Sequence, residues 1–300
     1  MMGFTLSSDE RSRLSERRRE LLREQRQLNI RRFFRNGHAV AGALIILVMI
    51  LLAVFAPLLA PADPLAQTVA NRFAKPGTAG YLLGADKLGR DLLSRIIYGA
   101  RVSMIVGVSS SLCSMLFGMI IGLYACYYKA IDNILMRICD GLSAIPSILL
   151  AIALMAVLGS STFNVILALS IVYIPRMARI SRSAALVVKE QTFIEALQSQ
   201  GAGTFRILWV HIAPNILSTV VVQASYNFAN SIITEAALSF LGVGVPAPQP
   251  SWGNILSAGR EVITKAWWLI VYPGLATALA VMGTNIFGDG LRDILDPHTN

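Results

Sequence analysis

The sequence predicts an all-α integral membrane protein with six transmembrane helices. Its composition, its uncharged runs of membrane length and its lack of strand-like alternation all point there. Of 300 residues 55% are hydrophobic and only 14% charged, with a mean hydropathy of +0.60. A soluble core of this size cannot hide so much apolar surface, so lipid solvates much of the chain. Runs near the ~20 apolar residues that cross the hydrocarbon recur along it. They are continuous, whereas the strands of a closed barrel alternate apolar and polar residues over about ten positions.

Residues 1–38 form a basic segment with ten Arg against five acids, which predicts a cytoplasmic N-terminus. Within it, Glu16/Arg19 and Glu20/Arg23 have the spacing of supporting pairs on a charged helix. The segment is too long and too charged for a cleavable signal. Basic charge beside a first span also accounts for the net +9 without any nucleic-acid partner. The first span is 39–60. A linker over 61–101 follows on the outer face, carrying six Lys/Arg and three Asp, against the usual bias of positive charge toward the inside. The second span is 102–125. The uncharged run 141–175 is too long for one crossing, and Gly159-Ser160-Ser161-Thr162 divides it into spans 138–158 and 163–180. A polar stretch over 182–213 separates these from a fifth span, 214–241. An outer loop, 242–268, has Pro246, Pro248 and Pro250 before Trp252 and serves either as a rigid surface or as a connector. The sixth span is 269–289, and a tail over 290–300 returns to the side of the N-terminus.

Chemistry is sparse. Cys113, Cys126 and Cys139 show no paired spacing and fit small buried hydrophobes. His38, His211 and His298 are too scattered to predict a metal site, and no nucleophile-base arrangement stands out. The phosphate loop G-x-x-x-x-G-K-[ST] is missing: Gly201-Ala202-Gly203 leads into Thr204-Phe205-Arg206. No metal, cofactor or catalysis is expected in this chain, and any nucleotide-driven step belongs to another one.

The polar stretch is the most informative feature. Glu195-Ala196-Leu197 precedes Gly201-Ala202-Gly203, and Pro214 stands thirteen residues beyond Gly201. This reads as a helix-turn-helix outside the bilayer that a soluble partner could grip. Gly201 and Gly203 permit the turn, and Pro214 suits the first turn of the next span. Glu195 offers a carboxylate, while Phe205, Ile207, Leu208 and Trp209 offer apolar anchors. Spacing alone fits an amphipathic helix on the inner leaflet equally well.

Three further stretches make the resemblance specific: Leu83 to Arg95 (LGADKLGRDLLSR), Ala237 to Gly244 (ALSFLGVG) and Gly288 to Pro297 (GDGLRDILDP). With the loop motif in the context His211-Ile212-Ala213-Pro214-Asn215, the chain resembles bacterial ABC importer permeases of the dipeptide/oligopeptide/nickel family, in particular the C-type subunit, over about residues 35–297. Leu197, Ala213 and Ala85 depart from the usual pattern with side chains that still fit. The resemblance implies the type I permease fold and an inner-membrane importer of short peptides working by alternating access. It also implies a homologous second permease, two cytosolic ABC ATPases that hold ATP and Mg, and an external solute-binding protein. Glu195, Ala196, Gly201, Ala202, Gly203, Phe205, Trp209 and Pro214 would then form the ATPase-coupling loop. Nickel complexes and glutathione are also cargoes of such permeases.

Polar groups inside spans are costly and call for partners or water. Tyr226, Asn227, Asn230, Thr234 and Glu235 form a strip that either lines a solute path or bonds neighbouring helices. Arg137 and Asp140 share a helix face and are expected to pair, structurally or as a gate, with Pro146 a kink beyond them. Arg176, Arg179 and Arg182 read as inner-side anchors. Asp289, Arg292 and Asp293 read as an ion-paired cap or a helix terminus, and Gly118 and Gly122 as a close-packing pair. A proton-driven secondary transporter using Glu235 and Asp140 is the other transport reading, but its internal repeats are not apparent. A non-transporting scaffold would not need Gly201 and Gly203.

Overall fold

The architecture comes from a computed structural model that describes residues 30–78 and 80–295, with Arg17, Glu20 and Leu28. Glu16, Arg19 and Arg23 of the expected N-terminal pairs, and residues 296–300, lie outside the described residues. The described chain is helical, with two isolated bridges in the linker, Thr78 with Tyr81 and Ala85 with Asp91. Among the described residues five helices are long and apolar enough to cross a membrane, and counting a bent pair as one span raises the number to six.

Helix α1 (Gly37–Val54) begins at Asn36, whose side chain accepts from the Ala39 amide. Its outer face, including Leu44 and Leu47, is exposed as lipid contact demands. Its other face meets the last helix so closely that a Cβ on Gly42 would lie 2.4 Å from the Phe287 amide nitrogen. After the linker, α2 (Leu92–Tyr127) starts at Asp91, which accepts from the Ser94 amide. At 36 residues it is about 54 Å long, well beyond the hydrocarbon thickness. The uncharged run beginning at residue 102 marked the apolar part of this helix rather than its start. Charged Arg95 and Arg101 are helical too, because a charge outside the hydrocarbon does not stop a helix. For the same reason the fourth crossing continues past residue 180 and the sixth past 289.

The span expected over 138–158 with a kink at Pro146 is broken there into two helices, α3 (Lys129–Ser143) and α4 (Ser147–Leu158), bent by 94°. Pro146 lies at the break: it has no N–H and it pushes the residue before it toward extended backbone. On α3, Ile131, Ile134 and Ile138 share an exposed apolar face. The chain turns at Gly159, with φ +82°, and Ser161 caps the next helix.

Helix α5 (Thr162–Lys189) runs parallel to α2 along much of its length, Gly118 facing Met177 and Gly122 facing Ser181. Gly118 and Gly122 bring the two together, since a Cβ on either would meet Met177, Ala178 or Ser181 within 2.5 to 3.0 Å. The short helix α6 (Thr192–Ser199) leads to a helix that is continuous from Thr204 to Phe240, whose regular part is α7 (Ala213–Phe240). Helix α8 (Trp252–Arg260) crosses the linker end of the bundle, and α9 (Trp268–Leu295) returns to the end that carries α6. These two ends are called the linker end and the loop end.

Candidate functional site

The loop end is built around a joint. Helix α6 ends in a Schellman turn in which the Gly201 amide donates to the Gln198 carbonyl and the Ala202 amide to that of Leu197. This puts Gly201 at φ +79°, the left-handed region that glycine enters without strain. Gly203 sits at φ −67°, so the turn does not require glycine there. Pro214 lies in the first turn of α7, as expected, but the chain is already helical before it, through a π-helical segment, Ile207–Ile212, whose widened register lets the Ala213 amide donate to the Leu208 carbonyl. That widening is where the chain accommodates the missing proline N–H.

The inner face of this loop is fused to the bundle. Ile194, Ile207, Leu208 and Ile212 are all fully buried, packed with Leu123 and Cys126 of α2, Met177, Ala185 and Val188 of α5, and Ile216 and Val220 of α7. Lys189 strengthens the joint, donating to the Cys126 carbonyl at 2.9 Å and standing over the Tyr127 ring. The outer face is free. Glu195, Ala196 and Gly201 are exposed, Ala202 and Trp209 are half-buried, and Phe205 is 69% exposed with its ring 6.3 Å from that of Trp209. The loop thus offers a firmly seated back and an unpartnered front with a carboxylate and two aromatic rings.

Along α7 the expected polar strip separates into two rows. Tyr226, Asn230 and Thr234, spaced by four, line open clefts. One cleft, of about 590 Å³, is bounded by Asn215, Ser218, Thr219, Tyr226 and Arg292. The second, of about 620 Å³, lies between α4, α5 and α7 and takes in Asn230, Thr234 and Tyr173. Tyr173 and Thr234 share a hydrogen bond of 2.8 Å, and Asn230 donates to the Tyr226 carbonyl.

Asn227 and Glu235 form the other row, fully buried against α2 and away from both clefts. The Asn227 amide donates to Ser114 and accepts from Gln223. The Glu235 carboxyl accepts from Ser103 and Ser239, each at 2.8 Å, with the Ser251 hydroxyl also in reach. Ser231 and Ser110 meet between them. The pore-lining expectation for Glu235 and Asn227 therefore gives way to a helix-helix polar seam. Ser103, Ser110 and Ser114 on one face of α2 were the sequence signal for it, because hydroxyls in a spanning helix need bonding partners.

The other expected ion pairs are rearranged as well. Arg137 and Asp140 do not pair with each other. They line a depression of about 260 Å³ with Asp132, Arg179 and Arg182, in which Asp132 is held bidentately by Arg182, a partner on a different helix that sequence spacing could not reveal. Asp289, Arg292 and Asp293 form no cap among themselves. Asp289 accepts from the Tyr226 hydroxyl at 2.6 Å, Asp293 accepts from Asn36 at 3.4 Å, and Arg292 lines the first cleft. They tie the end of α9 to α7 and α1.

At the linker end, the stretch from Leu83 to Arg95 folds into a knot around Asp86. This buried carboxylate accepts from the Leu88 and Arg90 amides and from the Arg90 guanidinium at 2.6 Å, with Arg95 at 3.7 Å. Gly89, at φ +72°, passes so close to the linker that a Cβ there would lie 1.9 Å from the Thr68 oxygen. Trp268 donates to the Ala85 carbonyl, docking α9 on the knot. Lys87 pairs with exposed Glu261 and by its hydrogen bond and charge holds that carboxyl below the usual carboxylate range. Three of the six linker cations thus lie against a carboxylate, Arg90 and Arg95 sharing Asp86.

Comparison with known proteins bears directly on these features. Residues 114–300 match the model of a family described as binding-protein-dependent transport system inner membrane component, and residues 24–76 match one described as N-terminal TM domain of oligopeptide transport permease C. The chain is 42% identical over 271 residues to the dipeptide transport system permease protein DppC of Escherichia coli K12, covering 88% of this chain and 90% of the relative. It is 41% identical to the di/tripeptide transport system permease protein DppC of Pseudomonas aeruginosa, with 88% and 89% covered. Identity to the glutathione transport system permease protein GsiD of Pectobacterium atrosepticum is 44%, with 89% of each chain covered.

Proposed function

The chain belongs to the family of binding-protein-dependent transport system inner membrane components, and on that premise we propose that it is a pore-forming permease subunit of an ABC importer of short peptides. The observation that carries the reading is the loop end: a back of four fully buried aliphatic side chains clamped to α2, α5 and α7, and a front left bare. A rigid joint of this kind passes a push on Glu195, Phe205 and Trp209 into the spanning helices. A loosely tethered loop would absorb the push.

In this reading two cytosolic ATPases, which hold ATP and Mg, supply the push. The loop end and both termini face the cytoplasm, and the linker end faces the solute-binding protein. The pairing of Lys87 with Glu261 and the burial of Arg90 and Arg95 around Asp86 offset part of the charge that spoke against that orientation. The two clefts along α7 are open troughs rather than a closed tube, so a homologous second permease is needed to complete the path. Peptides are favoured as cargo because the relatives include dipeptide and di/tripeptide transport permeases. Glutathione, itself a tripeptide, fits through the resemblance to GsiD.

The test is uptake of labelled dialanine into proteoliposomes holding this chain with its partner permease and ATPases, supplied with the binding protein. Uptake should require ATP and persist in the presence of a protonophore. Protonophore-sensitive uptake without ATPases would instead support the secondary transporter.

A further inference from the structure

The cleft between α4, α5 and α7 carries positive charge with no acid among its lining residues. Arg176 and Arg179 both line it, with Ser143, Tyr173, Asn230 and Thr234 as neutral polar neighbours and no Asp or Glu. Arg179 donates to the Ser143 hydroxyl and also borders the adjoining depression with Asp132 and Asp140. Arg176 is exposed and, among the described residues, has no acid within 4 Å. On α3, Asp132 is held by Arg182, and Asp140 lines the adjoining depression beside Arg179 rather than the cleft.

Position makes this unusual. Arg176 stands fourteen residues along α5 from Thr162, about 21 Å at the helical rise, within the ~30 Å that a span covers. A guanidinium at such depth needs water or an anion and marks functional paths more often than surfaces. The cleft, of about 620 Å³, is in the range of small-molecule sites. Its polar wall continues the exposed row of α7.

We propose that this cleft is an anion subsite on the solute path, where the Arg176 guanidinium takes the C-terminal carboxylate of a passing peptide, supported by Asn230 and the Tyr173-Thr234 pair. The inference rests on the peptide-import reading and adds a polarity to it. The only acid in this stretch of α7, Glu235, is sealed against α2, so the path greets the carboxylate end and not the ammonium end. A lipid phosphate would satisfy the same guanidinium, and the experiment separates the two sources.

The assembled transporter is placed in phosphatidylcholine nanodiscs and treated with phenylglyoxal, and modification of Arg176 and of exposed Arg101 is followed by mass spectrometry. Saturating dialanine should slow Arg176 modification about tenfold, the scale of one charge-assisted contact. Arg101 should not change, and dialanine amide should have no effect. Arg176→Gln should lower dialanine uptake per ATP hydrolysed by a similar factor, and Arg176→Lys should recover most of it, because charge rather than packing is what the subsite supplies. Equal protection by dialanine and its amide, or by neither, overturns the proposal. Protection seen only when phosphatidylglycerol is added would assign the guanidinium to lipid and overturn it too. If the wild-type complex takes up no dialanine, the peptide reading fails on its own, and the protection measurement still decides whether Arg176 holds a carboxylate.

Discussion

Replacing Ile207 with alanine truncates a side chain that is fully buried between the loop and the ends of α2 and α5, while leaving the exposed face of the loop as it is. Burial of such a side chain contributes about 1.5 to 3 kcal/mol by area, and the cavity left behind raises the cost of truncation to about 2 to 5 kcal/mol. Four side chains of this kind hold the loop, so one truncation loosens the joint without releasing it. Phe205→Ala is the mirror-image change. It removes an aromatic ring that is 69% exposed and costs little in folding, but as a central anchor it should weaken ATPase attachment by about 2 kcal/mol, or roughly thirtyfold. The assay measures two quantities on purified complexes: the ATPase retained on affinity-tagged permease, and the solute taken up per ATP hydrolysed in proteoliposomes. Ile207→Ala should retain the ATPase and lower uptake per ATP. Phe205→Ala should lose the ATPase, with coupling near normal in whatever complex remains. If Phe205→Ala retains the ATPase fully, or if Ile207→Ala leaves coupling intact, the division of the loop into seated back and gripping front is refuted.

Three further outcomes follow from the same geometry. Gly201→Ala meets no neighbour within 4 Å and so should cost only the left-handed backbone penalty of about 1 kcal/mol, with Gly201→Asn closer to wild type; uptake should fall mildly, whereas Gly89→Ala, aimed at the Thr68 carbonyl, should prevent stable folding, both read by uptake and by size-exclusion chromatography. Asp86→Asn leaves two buried guanidinium groups without their carboxylate and should destabilise the protein by about 3 to 5 kcal/mol, measured as a lowered melting temperature in detergent. Glu235→Gln keeps a polar group among Ser103, Ser239 and Ser251 and should transport normally, while Glu235→Leu leaves those hydroxyls unmatched at about 1 to 3 kcal/mol each and should lower thermal stability. Altered solute preference in Glu235→Gln would restore that residue to the path.

The uncharged runs told how many apolar segments to expect, because the cost of burying charge in lipid is written into composition. They did not tell where helices end, since Arg95, Arg101 and Arg182 are helical beyond the hydrocarbon. The turn at Gly201 was legible because left-handed backbone needs a particular residue. The π-helical segment before Pro214 was not, as its register depends on the loop packing back onto α5. The polar row along α7 was visible as a row, but spacing within one helix could not say that Asn227 and Glu235 face the serines of α2 while Tyr226, Asn230 and Thr234 face the clefts. Partners across helices, such as Arg182 with Asp132 or Asp289 with Tyr226, likewise appear only once the bundle is assembled. In the linker, Asp86 read as an ordinary charge, and only the fold shows it collecting two arginines.

The central claim, that the loop and the ends of α2, α5 and α7 move as one body, is tested most directly by the distance between spin labels at Gln198 on the loop and Val187 on α5, both exposed, measured by pulsed electron resonance in the assembled transporter. A rigid joint predicts the same distance in the nucleotide-free complex and in the vanadate-trapped complex. A shift of more than about 5 Å, one helical turn, in a complex that still imports peptide would contradict it.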